Sequence, residues 1–182
     1  MNHIQLSNLV LFQAGWWACV LLGGSPAHWS GTLIAIGIIA FHLVLSDRAH
    51  AEVKLIMLAI LVGLVWDSLL VRFGLLNYSH GMMADTLAPH WIIAIWAIFA
   101  TTCNLSLRWL KNRTMAAALL GAVGAPLSYY AGMKVGSVTM PDQLLAMMVL
   151  GLGWAVLMPL LMGFSMRYDG FSETFAMRNR AS

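Results

Sequence analysis

Asp67 stands inside the run ILVGLVWDSLLVRFG, Ile60 to Gly74, where only Ser68 among the three neighbours on either side is not apolar. A carboxylate in such a place can accept hydrogen bonds that lock neighbouring segments together. It can also anchor the polar end of a ligand, or act as a general base if a substrate proton lies within reach. The residues expected to work with it are His90, Tyr129, Tyr130, Trp66 and Trp91. His90 would supply a proton acceptor, the tyrosines hydroxyl donors, and the tryptophans apolar walls.

Other chemistry finds less support. His80 and His90 with Asp67 or Asp85 have the donor types a metal needs, but no HExxH and no repeated HxxxH or HxxHH spacing accompanies them. No metal and no cofactor is expected. GxSxG and the P-loop pattern are also missing, which leaves a serine nucleophile and nucleotide hydrolysis unsupported.

The elements that must position these residues follow from composition. Of 182 residues, 60% are hydrophobic and 9% charged, against roughly 25% charged in a soluble domain. Apolar runs long enough to cross a hydrocarbon core, about 20 residues each, recur along the chain. The runs predict an all-α, polytopic membrane protein with six transmembrane helices, approximately Ile4–Leu22, Trp29–Leu45, Val53–Phe73, His90–Leu110, Met115–Met133 and Gln143–Met166. Residues 1–166 form the membrane domain. Residues 167–182 form a cytoplasmic tail that reads as a frayed or interfacial end. The first run lacks a basic stretch before it and small residues at its end, and so reads as a retained helix.

The net charge of +3 does not form a basic stripe, so no nucleic-acid partner is expected. It reports topology instead. Arg48, Lys54, Arg108, Lys111, Arg113, Arg167, Arg178 and Arg180 fall on one side, and only Arg72 and Lys134 on the other. Cytoplasmic loops carry the excess, which puts both termini in the cytoplasm. Asp67 then lies five residues, about 7–8 Å, inside the outer interface that Arg72 marks. His90, Trp91, Tyr129 and Tyr130 are expected near that face, with the loop LLNYSHGMMADTLAP folding over the same mouth.

A second polar layer, Asn8, His42, Asn104 and Ser106, is expected nearer the cytoplasm as inter-helical glue. Gly121 with Ala125, and Ala14 with Ala18, make small-residue faces where helices approach closely.

With these landmarks placed, the chain resembles a bacterial family of integral inner-membrane proteins catalogued only as a domain of unknown function. The likeness rests on NLVLFQAGWWACVL, GLVWDSLL around Asp67, HWIIAIWAIFATTCNLSLRWL and LLGAVGAPLSYYAG, and covers almost the whole chain. It implies a place in the bacterial inner membrane and assigns no activity. It also implies an association with enzymes that modify lipid acyl chains and with stress-response regulators. A looser analogy is to the substrate-binding subunits of energy-coupling-factor transporters, which use an AxxxA face on the first span to meet a partner. Here Ala14 and Ala18 supply that spacing.

The leading expectation is an outward-facing cavity that binds or transports a small amphipathic or lipid-like ligand, with Asp67 as its polar anchor and membrane lipids as partners. The rivals are a scaffold for a lipid-modifying enzyme, meeting a partner membrane protein through Ala14 and Ala18, and an intramembrane lipid-modifying enzyme with Asp67 or His90 as base.

Overall fold

Burial on the third apolar run recurs every three or four residues, at Glu52, Leu55, Ile56, Ala59, Gly63, Asp67 and Leu70. That spacing is one face of an α-helix. The opposite face, with Val53, Met57, Leu61, Val65 and Leu69, is exposed and apolar beyond Lys54 at its start. A helix that is apolar on its outward side and carries its carboxylates inward is built for lipid surroundings.

A computed structural model describes residues 3–172. The helices are α1 (His3–Gly23), α2 (His28–Leu45), α3 (Ala49–Arg72), α4 (His90–Cys103), α5 (Thr114–Lys134) and α6 (Gln143–Arg167). A short 3-10 turn spans Arg108–Leu110, and no strand occurs among the described residues beyond two isolated bridges. Five of the helices are long and apolar enough to cross a membrane. The protein is an all-helical, multi-pass membrane protein.

α4 is the exception. It ends at Cys103, seven residues before the expected Leu110, and its 14 residues reach only about 21 Å. The Thr101 and Thr102 hydroxyls donate back to the carbonyls of Ile98 and Phe99 at 2.7 and 2.6 Å. The chain then leaves the helix so that Asn104 can meet Glu52. Non-helical backbone at membrane depth survives only where protein covers it. That condition holds here, because α4 packs on α1, α2 and α3 together, and Asn104, Leu105 and Leu110 are almost fully buried.

Packing divides the molecule into two parts. α1 to α4 form one body with α4 at its centre, whereas α5 and α6 pack chiefly on each other. The α5–α6 contact is close because Gly121 faces the backbone carbonyl of Trp154, where any side chain would collide. Gly121 is thus spent inside the hairpin. On α1, the close approach is made by Gly31 of α2 against the backbone at Ala18 and Cys19. Ala18 is half-buried and Ala14 exposed.

The segment after α6 differs from a frayed tail as far as it is described. Arg48 donates its N–H to the Gly170 carbonyl at 3.1 Å, and Phe171 is 1% exposed beside His42. Burial of the Phe171 ring explains why this segment turns back under the bundle. Residues 173–182, with Arg178 and Arg180, lie outside the described residues.

Candidate functional site

Because α5 has no extended interface with α1, the two parts leave a gap between them. The gap is a cavity of about 510 Å³, within the roughly 300–1,000 Å³ of small-molecule sites. α1 contributes Phe12, Trp16 and Val20; α4 contributes Trp91, Trp96 and Phe99; α5 and α6 contribute Gly121, Tyr129, Trp154 and Met158. Among the described residues no charged side chain lines it. Tyr78 from the α3–α4 loop and Val138 from the α5–α6 loop reach in at one end. Those two loops are stitched together by backbone bonds between Asn77 and Thr139 at 3.0 and 2.9 Å. The side of the cavity between α1 and α5 stays open, rimmed by exposed Gln13, Leu120, Gly124 and Leu127. Leu120 and Leu127 make this rim apolar and exposed.

Asp67 does not touch this space. Its side chain is fully buried one layer behind the wall. One carboxylate oxygen accepts from the Trp96 indole N–H at 2.6 Å, and the other accepts from the Tyr129 hydroxyl. The carboxylate therefore joins α3, α4 and α5 and fixes two side chains that do line the cavity. Asp67 is expected to anchor a ligand; here donors from two neighbouring helices satisfy its oxygens, and it does not line the cavity.

Of the other expected site residues, Tyr129 and Trp91 stand in the wall. His90 does not. Its Nδ1 lies 2.8 Å from the Thr32 hydroxyl, its Nε2 lies 2.7 Å from His28 Nδ1, and Trp29 stacks on it with centroids 3.9 Å apart. It joins α4 to α2, and Trp96, the α4 residue that meets Asp67, comes six positions later, about 9 Å along the axis. Asp67 and His90 thus form no acid–base pair. Tyr130 turns away from the cavity with the Lys134 amine 5.0 Å from its ring centroid. Trp66 packs its ring over Gly153 of α6, outside the wall.

Two polar atoms of the cavity wall lack partners. The Tyr78 hydroxyl and the Trp154 indole N–H are buried without a hydrogen bond among the described residues. Burial, with the Asp67 charge adding to it, pushes the Tyr78 phenol well above its ordinary value, so it remains a donor. Leaving such a donor unmet costs about 1–3 kcal/mol, and a ligand oxygen in the cavity could offset that cost.

A second buried carboxylate, Glu52, had no place in the sequence reading, which started the third span at Val53. It is fully buried on the same α3 face as Asp67, about 22 Å away along the axis. His42 Nε2 lies 2.8 Å from one oxygen, while the Asn104 amide and the Gly170 N–H both donate to the other at 2.7 Å. The Asn104 side-chain Oδ1 accepts from Lys111 at 2.6 Å, and Lys111 and Arg108 both bind Asp169. Asn8 adds the Thr101 and Ser106 links. The helical register, four residues before Ile56 and seven before Ala59, was the available signal for Glu52.

These features define a multi-pass helical membrane protein with an aromatic, laterally open cavity and a buried polar network at the opposite end of α3. The chain belongs to the family described as protein of unknown function (DUF2878), whose model matches residues 5–160. No curated protein and no solved structure matches the chain.

Proposed function

We propose that this protein binds an amphipathic, acyl-chain lipid in the cavity between α1–α4 and α5–α6, admitting it sideways from the membrane. The observation that carries this reading is the wall itself: aromatic and aliphatic side chains without a charge, and two buried donors, Tyr78 and Trp154, waiting for acceptors. Sites for lipid-like ligands combine an apolar body with a few placed polar groups in this way. With the Lys and Arg distribution setting orientation, the Tyr78 end of the cavity faces the periplasm of a bacterial inner membrane. The chain lies along the aromatic wall, and its ester or hydroxyl oxygens meet the donors at the outer end.

The test is native mass spectrometry of the purified protein with identification of whatever lipid is retained. A reproducible acyl-chain species is expected. Gly124→Trp should release it by filling the opening, since open space lies around Gly124 and the fold need not shift. A protein that emerges empty under conditions that preserve its fold would overturn the reading.

A further inference from the structure

A second hollow, of about 380 Å³, lies at the opposite end of the molecule, between the start of α3 and the end of α6. Its lining includes Arg48, His50, Lys54, Arg167, Tyr168 and Asp169. The Lys54 amine and the Arg167 guanidinium both sit 6.0 Å from the centroid of the Tyr168 ring. Among the described residues neither meets a carboxylate in an ion pair. The one acid in the lining, Asp169, is already engaged from behind by Arg108 at 2.7 Å and Lys111 at 2.8 Å. α3 begins here with Arg48 at its N-cap position, and the Glu52 carboxylate of its first turn is turned inward to His42 and Asn104. The site is therefore net positive and concave, with an aromatic floor.

Its surroundings favour a lipid over a free anion. Three and seven residues after Lys54, on the same helical face, come exposed Met57 and Leu61. Seven residues before Arg167, exposed Leu160 lies on its face of α6. Two apolar tracks thus descend from the charged hollow along the lipid-facing surface. A phosphate held by Lys54 and Arg167 would have its acyl chains over those tracks.

We infer that this hollow binds the phosphate of an anionic phospholipid headgroup, with Lys54 and Arg167 as its principal ligands and Arg48 and His50 at its edge. Basic pockets beside transmembrane helices on the cytoplasmic side recognise anionic headgroups by this chemistry. The site is independent of the cavity proposed above.

Native mass spectrometry of the full chain in detergent tests it, with phosphatidylglycerol, phosphatidylcholine and inorganic phosphate as separate probes. Phosphatidylglycerol should be retained over phosphatidylcholine, and Lys54→Gln with Arg167→Gln should lower that retention about tenfold, equivalent to about 1.4 kcal/mol. Arg113→Gln, which removes a cation from the same end of the molecule but outside the hollow, should leave it unchanged. Lys54→Arg should preserve it, and thermal melting of each variant monitors folding. Equal retention by the double variant, or equal loss in Arg113→Gln, would overturn the inference. Displacement of phosphatidylglycerol by inorganic phosphate at equal concentration would also overturn it, because the acyl tracks would then contribute nothing.

Discussion

The Asp67 carboxylate and the Trp96 indole N–H are 2.6 Å apart in a place no water reaches. With Tyr129 on its other oxygen, the acid is a fastening between the four-helix body and the α5–α6 hairpin near the Tyr78 end. It shapes the cavity without entering it.

Asp67→Asn should therefore weaken the fold more than it changes the cavity's chemistry. The amide presents one oxygen to two donors and turns its own NH2 towards the second, leaving that donor unmet. A loss of about 1–3 kcal/mol follows, visible as a lower melting temperature in detergent. Tyr129→Phe should also destabilise, by about 1–3 kcal/mol, because it leaves one oxygen of the buried carboxylate without its donor. An Asp67→Asn protein that melts with wild type would disprove the fastening role.

Tyr78→Phe should do the reverse. The hydroxyl has no partner among the described residues, so its removal should leave the lipid-free protein as stable as before or more so, by up to about 1–3 kcal/mol. Retention of a co-purified lipid should fall. Unfolding curves of delipidated protein, compared with lipid retention by mass spectrometry, separate the two effects.

Gly63→Val should be severely destabilising. A side chain there would overlap the Trp96 indole, and moving that ring breaks its bond to Asp67. Overpacking of a well-filled core costs about 1–3 kcal/mol before the lost hydrogen bond is counted. Gly163→Val, on open surface, is the control and should lie within about 0.5 kcal/mol of wild type.

The network at the other end should respond to acid. Burial acts to raise the Asp169 carboxyl, but hydrogen bonds from Arg108 and Lys111 outweigh it and hold the group below its ordinary value of 3.8. A depressed carboxylate stabilises the fold above its unfolded-state value, and that contribution is lost as pH falls through the lower, folded-state value. Between neutral pH and about pH 5 the melting temperature should not vary on this account. Below about pH 4 it should drop in the wild type, with a shallower drop in Asp169→Asn. Parallel pH profiles for the two proteins would contradict the assignment.

The membrane class was legible because it depends on averages: few charges and apolar runs of helical length. At Gly121 a small residue stands where the Trp154 backbone comes closest, a place where a close helix crossing leaves little choice of residue. Asp67 could be placed inward by the cost of charge in lipid, but whether a void touched it depended on Trp96 and Tyr129, which come from other helices. His90 illustrates the same limit. Depth put it near the Tyr78 end, yet Thr32 and His28 on α2, unremarkable in their own segment, turned it away from Asp67. Glu52 was missed because a single charge beside Arg48 and Lys54 looks like the edge of a span. Only its register with Ile56 and Ala59 on α3 distinguished it from a solvated loop residue.

The division of packing between α1–α4 and the α5–α6 hairpin bears on how the molecule is made. The two parts are joined in sequence by the turn at Lys111–Arg113, where Asn112 takes a positive φ of 63° at an exposed position. A ribosome would have delivered α1, α2 and α3, on which α4 chiefly packs, before the first residue of α5 emerged. Severing the chain at that turn and producing the halves together should yield a complex that reassembles in the membrane, with the cavity created only at the moment of their union.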